Sequence, residues 1–443
     1  MLNRQKSKSI SLVLLYMLSI LLGLAALPTV QAVNETTQGT VTGVETWTGT
    51  MNLQGDVEVA EGAKLIINAG TTINIPPGKY IDVRGAICIG DTACGASAGS
   101  ASSQARFIWS DPTDTTRYGR CTNDSLVQDL DNIDAACGSG MVIRNTIDQA
   151  QTSIKFAHFE GAYGYPLYIQ TDSAGFKYGV LVFDGSSTTV QGLTFNDVNT
   201  SNVLLYNLAS PTISDSSFVV GNDASFESPA IQAYGAGAGI FSSFRVLDSD
   251  FTGNDASCDD GVNVIDVVES YIDLSRLNID QSSFGVILKK TSGSITNSTI
   301  NVECSGINTN GFKSTGLIEH TLYVNDNVIT TTDLAGLTAY DNAKVVAHRN
   351  EISGAASGSG VGIRSSQVEL VDNTIGPVEG YNGLWIYGAS DVTAIGNTIQ
   401  DTGAEPVLMG EYHIDDQGWS GFGQYLLPAR LYLDNNIISN VSG

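Results

Sequence analysis

Tyr340, Arg364 and Tyr387 close three segments of one kind, GLTAY, GVGIR and GLWIY, at intervals of 24 and 23 residues. Two phenols flanking a guanidinium make a sugar-facing set. Aromatic faces pack on the C–H faces of sugars, and a guanidinium forks onto a carboxylate or sulfate. Trp385 adds a ring two positions before Tyr387. Asp341 follows Tyr340, and with Arg364 it supplies the two candidates for catalysis. Elimination on a uronate needs a base for the proton α to the carboxylate and, in one version, Ca2+ held by carboxylates. No group of three carboxylates accompanies Arg364, so the set reads as a binding stripe, with Ca2+ the one cofactor that a catalytic version would add. A second concentration of reactive side chains lies between Ile399 and Leu431. There Glu411, His413 and Asp415 alternate, and an extended segment would turn all three to one face, where a metal would fit. Trp419 and Tyr425 in the same segment extend the sugar-contacting set. Asp259 and Asp260 read as a solvated turn, and His158, His320 and His348 carry no motif.

These residues need a scaffold with a period near 23 residues, and the sequence contains one. LYVNDNVI (322–329), VVAHRNEI (345–352), VELVDNTI (368–375), VTAIGNTI (392–399) and LYLDNNII (431–438) align with apolar residues at the first, third and last places. The sixth place is always asparagine: Asn327, Asn350, Asn373, Asn397 and Asn436. A glycine-led segment follows each unit, from GVNVI (261–265) to GLWIY (383–387). The apolar period is two and β-branched residues dominate, so these are strands, with i and i+2 on one face. That places Leu384 and Ile386 inward, and Trp385 and Tyr387 outward. Ile265, Lys289, Asn310, Tyr340, Arg364 and Tyr387 then form one outward column. Short strands joined by tight turns must coil and stack, about ten coils in all, each rising ~4.8 Å. The asparagines then form a structural ladder of stacked amides.

With these repeats, the chain resembles the right-handed parallel β-helix repeat family, of the pectate-lyase-like superfamily. VEVAEGAKLIINAGTTINIPPGKYIDV (57–83) is similar to the entry coils of its secreted surface members. The resemblance implies an all-β solenoid of 22–24-residue coils. Function is a separate matter, because enzymes, adhesins and layer proteins share this scaffold. Hydrolases on this fold resemble one another in Asn-Thr-Asp, Asp-Asp, Gly-His-Gly and Arg-Ile-Lys motifs on successive coils. Asp259-Asp260 is similar to the second, but no histidine stands between glycines anywhere in the chain.

The N-terminus sets the compartment. Arg4, Lys6 and Lys8 precede an apolar run from Ile10 to Leu27, then Pro28 and the small-residue site Val30-Gln31-Ala32. Residues 1–32 therefore read as a signal peptide, 33–150 as entry coils with a disulfide-tied excursion, and 151–443 as the repeats. Removing 1–32 leaves 18 basic against 46 acidic side chains, a net charge of −28. Such a chain repels nucleic acid and anionic lipid and meets the membrane only through its leader. All six cysteines follow the leader, and in an exported chain they read as disulfides. Cys88–Cys94 and Cys121–Cys137 are local pairs. Cys258 and Cys304 lie two coils apart, ~9.6 Å of rise, beyond the ~7 Å reach of a disulfide unless one sits in a loop that bends back. Sequons at Asn34, Asn123, Asn199, Asn297 and Asn440 allow glycosylation. The last coil reads as uncapped, an edge open to self-association. The expected function is that of a secreted or cell-surface protein, structural or glycan-binding, meeting extracellular polysaccharide or envelope components without turnover. The alternatives are a lyase or hydrolase of acidic polysaccharide and an envelope-layer subunit.

Overall fold

The computed structural model describes residues 36–109, 139–144, 149–162, 164–169, 175–198, 200–220, 229–235, 242–253, 258, 262–311, 321–410 and 429–441. The leader, Cys121, Cys137 and the sequons at Asn34, Asn123 and Asn199 lie outside them. The described chain is a right-handed parallel β-helix. One coil shows the plan: Val361–Arg364, Gln367–Val371 and Thr374–Val378. Each strand pairs in parallel with its counterpart one coil on, Val361 with Leu384, Val368 with Val392 and Ile375 with Ile399. We call the sheet through Gln367–Val371 the first, that through Thr374–Val378 the second and that through Val361–Arg364 the third. Among the described residues the first sheet has 14 strands, so the stack holds more coils than the asparagine repeat alone reveals. Segments 86–89, 105–108 and 140–144, inside the stretch read as an excursion, are strands in register with earlier coils.

The turn from first to second sheet explains both the asparagine column and its limits. One residue takes a left-handed conformation (Asp326, Arg349, Asp372, Gly396, Asn435), and the asparagine after it turns inward. Asn350 donates through its backbone N and Nδ2 to Asn373 Oδ1, both at 2.9 Å, and Asn373 donates in the same way to Asn397. The second Nδ2 hydrogen of Asn373 reaches the Ala347 carbonyl at 2.9 Å. Asn327 and Asn436 continue the row at either end. In earlier coils serine does the same work more simply. Leu193 N donates to Ser216 Oγ, Ser216 N to Ser249 Oγ, Leu277 N to Ser298 Oγ, and Ser298 N to Asn327 Oδ1.

The core consists of inward columns, one residue per coil. The second sheet's column opens with Met51 and Ile73 and continues with stacked rings, Phe107, Phe159, Phe195, Phe218 and Phe251, with centroids 4.7–5.5 Å apart. It changes at Ile279 to isoleucine and continues through Ile300, Ile329, Ile352, Ile375 and Ile399. Phenylalanine is confined to the early coils, which is why the alternation is harder to recognise there. At the N-terminal end, Trp47 closes the core, and the inward carboxylate of Glu45 accepts its indole N–H at 2.7 Å. In the last described coil the inward Leu433 and Ile438 are exposed.

Cys88 pairs with Cys94, and Cys258 pairs with Cys304 at a Cα separation of 5.6 Å. Strict coil geometry puts the second pair out of reach unless one cysteine stands off the coils, and Cys258 does: it belongs to no strand, while Cys304 lies within the strand Thr299–Asn310. A hairpin, Tyr165–Ile169 antiparallel to Gly175–Asp184, covers outward apolar residues of the third sheet, including Val142, Val182 and Leu204.

Leu370 is fully buried on Ala394 and Ala347. Leu370→Asp should destabilise the chain by several kcal/mol, because a carboxylate without a partner would enter the core. Asn373→Ala orphans the Asn350 donors and should cost about 1–2 kcal/mol. Thermal or denaturant melts check both, and wild-type stability in Asn373→Ala would contradict the structural role of the row.

Candidate functional site

The outer face of the third sheet carries the sequence-predicted residues. Its register gives two outward columns. The first runs Asp266, Ile287, Asn308, Thr338, Gly362, Trp385, and the second Val268, Lys289, Asn310, Tyr340, Arg364, Tyr387. Ile265 does not belong there. It pairs with Val286 and is fully buried, because the earlier strand is shifted relative to its leading glycine and Ile265 falls in the inward column.

Tyr340, Arg364 and Tyr387 do lie on consecutive coils, but they form a packed cluster in place of an open stripe. Gly362 has no side chain, so the Tyr340 ring leans across it. A Cβ at Gly362 would stand 3.3 Å from the Tyr340 hydroxyl oxygen. The Tyr340 and Tyr387 rings consequently approach to 6.5 Å, although a whole coil separates them, and their side chains are hydrogen-bonded. The Arg364 guanidinium lies 4.7 Å from the Tyr340 ring centroid, a cation–π contact. Arg364 also donates from Nε to Asp341 Oδ1 at 3.0 Å and from Nη2 to Oδ2. Asn310 Nδ2 adds a longer contact to the same carboxylate, 3.4 Å. The two catalytic candidates are thus each other's partners, and the fork expected to face a ligand carboxylate already holds one.

Burial pushes the Tyr340 phenol up from its ordinary range. Burial alone would lower the Arg364 pKa, but the bonds to Asp341 outweigh it and hold the guanidinium charged. Tyr387 points outward yet is only 5% exposed. Trp385 packs on it at 4.9 Å and is half-buried. Thr338 is 3% exposed, and its Oγ1 has no hydrogen-bond partner. Outward polar residues of the second sheet behave differently: Asp250, Asn278, Thr299 and Glu351 are all exposed. On these coils the third-sheet face is therefore more sheltered than the second. Trp419, Tyr425, Glu411, His413 and Asp415 lie outside the described residues. Among the described residues no three of His, Cys, Asp and Glu stand together as a metal site.

One constellation escaped the sequence reading. Arg106, His158 and Thr194 are in register on the second sheet's outer face. His158 Nδ1 and Thr194 Oγ1 are 2.7 Å apart, and Thr194 Oγ1 contacts Gln104 Oε1 at 3.2 Å. His158 Nε2 lies 3.6 Å from Glu160, which holds Arg106 at 3.0 Å. The members are scattered over 90 residues and share only their register, so no local motif announces them.

A family model described as periplasmic copper-binding protein (NosD) matches residues 244–415, less than half of the chain. No curated protein matches. Among solved structures, a point mutant of the periplasmic alginate epimerase AlgG aligns over 89% of this chain and 85% of its own, with 11% identity and a TM-score of 0.47. The surface adhesin PfbA of Streptococcus pneumoniae aligns over 90% and 85%, with 12% identity and a TM-score of 0.34. The chain is a parallel β-helix by its own strand register. As in any β-helix, chemistry is placed by register, and residues one coil apart in space lie about one repeat apart in sequence.

His158 tests the description of its surroundings. Burial first, then the Arg106 charge, lowers its pKa from the ordinary 6.5, while Glu160 opposes the shift. An NMR titration should show Arg106→Gln raising the midpoint and Glu160→Gln lowering it further. Because the folded pKa is depressed, the unfolded chain takes up the proton first. This group's contribution to stability is therefore present above 6.5 and lost as the pH falls through the folded pKa. A midpoint at or above 6.5 would contradict this geometry.

Proposed function

We propose that this protein is exported and binds polysaccharide along the outer face of the third sheet, holding the polymer without cleaving it. The observation that carries the reading is the sheltered strip of Asn308, Thr338, Tyr340 and Trp385, which combines an unpartnered hydroxyl, an amide and aromatic rings on adjacent coils. Such groups suit sugars, which offer hydroxyls along their edges and C–H bonds on their faces. The coil rise of ~4.8 Å spaces the groups for a polymer lying along the axis. Export is supported by the leader-like residues 1–32 and by two disulfides, which persist in oxidising compartments. Binding without turnover is supported by the mutual engagement of Asp341 and Arg364, which leaves neither as a free base on the strip.

Affinity electrophoresis or calorimetry of residues 33–443 on a polysaccharide panel tests this. Trp385→Ala should weaken binding ~10-fold or more, and Thr338→Val by a smaller factor. Tyr323→Ala, on the exposed outer face of the first sheet, should leave it unchanged. No reducing ends or unsaturated uronates should accumulate. Wild-type affinity in Trp385→Ala overturns the site, and product release overturns the absence of turnover.

A further inference from the structure

We infer that the polymer held on this face is uncharged. The inference rests on the binding reading above and concerns which class of polysaccharide the face accepts. An acidic polymer needs unengaged cations at the spacing of its carboxylates or sulfates. The guanidiniums of this sheet are not available for that. Arg364 is forked onto Asp341, and Asn310 stands on the far side of the same carboxylate. Nearer the N-terminus, Arg144 reaches Asp82 at 2.8 Å and Asp184 at 3.0 Å, and Arg84 reaches Asp82 at 3.3 Å. Each arginine thus neutralises an aspartate of its own or an adjacent coil.

For a ligand carboxylate to take Arg364, it must displace Asp341 and leave that half-buried carboxylate unpaired beside a second negative charge. Loss of the existing pair opposes any gain from the new one. Among the described residues of the two columns Lys289 is the cation that remains, and Asp266 stands on the coil beside it. The field of the chain as a whole is negative, since residues 33–443 carry −28. A polyanion approaching along the axis would meet net repulsion, which a neutral polymer does not feel.

The remaining groups fit a neutral ligand. Thr338 Oγ1 is buried without a partner and has both a hydrogen to donate and lone pairs to accept with. A sugar hydroxyl has the same double capacity and can pair with it without displacing any existing bond. Asn308, one coil before it, offers a donor and an acceptor, and Trp385, two coils after it, offers a ring. Recognition by hydroxyls and ring faces depends little on ionic strength, whereas recognition of a polyanion depends on it strongly.

The test uses residues 33–443 with a neutral glucan, a mannan and a galactan against a polyuronate and a sulfated galactan, each at low and high NaCl. Neutral polymer should be retained, with an affinity that changes by less than about 2-fold over that range of salt, and the acidic polymers should not bind at low salt. Asp341→Asn removes the charge that occupies Arg364 while keeping the residue's size. It should create affinity for the polyuronate of at least ~10-fold over wild type, lost again as salt rises. A cooperative melt of the variant establishes that it is folded. Preferential binding of polyuronate by wild type, or a steep loss of affinity with salt, overturns the inference and leaves the binding reading intact. Retention of neither class overturns the binding reading and this inference with it.

Discussion

Everything in this structure depends on the two-residue turn between the first and second sheets. A left-handed residue reverses the chain, and the polar residue after it must be satisfied inside the stack. The carboxamide oxygen of the next coil does this, taking both the backbone N–H and a side-chain N–H of the coil before it. A turn that closes only when another coil lies beside it makes the solenoid cooperative between neighbours, in the way that repeat arrays are stabilised by their interfaces. The inward columns of phenylalanine and isoleucine then supply the apolar burial, but it is the turn that brings each coil into register with the next.

That register also makes the outer face. Because Thr338, Gly362 and Trp385 must follow one another in a column, the absence of a side chain at Gly362 has a consequence two strands wide. Tyr340 tilts over the gap, meets Tyr387, and brings its face under Arg364. Asp341 sits in its own left-handed turn, next to Tyr340, where it meets the guanidinium of the following coil. The resulting surface is polar and aromatic but electrostatically quiet, in a protein whose overall charge is strongly negative.

The sequence made the scaffold legible wherever one residue type recurred at one place. Asn327, Asn350, Asn373 and Asn397 announced the turn, and the alternation in VELVDNTI and VTAIGNTI announced inward Val368, Leu370, Val392 and Ala394. It was less legible where the same job passes to serine at Ser216, Ser249 and Ser298, since Leu193 and Leu277 interrupt the polar column there. Ile265 was misplaced because NVIDVV allows two alternations, and only the pairing of Ile265 with Val286 selects one. The outward column of the third sheet was legible as a set of residues and not as a set of contacts. Tyr340, Arg364 and Tyr387 were placed on one column correctly, but nothing local says that Asp341 will turn toward a guanidinium 23 residues on. His158 was passed over for a related reason, since its partners arrive from three different coils.

The asparagine row also has a direction. Every rung from Asn327 to Asn397 presents its carboxamide oxygen to the coil before it and an N–H to the coil after it. The amide dipoles therefore add along the axis, with the electropositive end toward the C-terminal coils, much as peptide dipoles add along a helix. Aligned hydrogen bonds polarise one another, so a rung in the middle of the row strengthens bonds on both sides of it. The stack accordingly carries a built-in polarity along its length, produced by neutral side chains alone and independent of the charges on its surface.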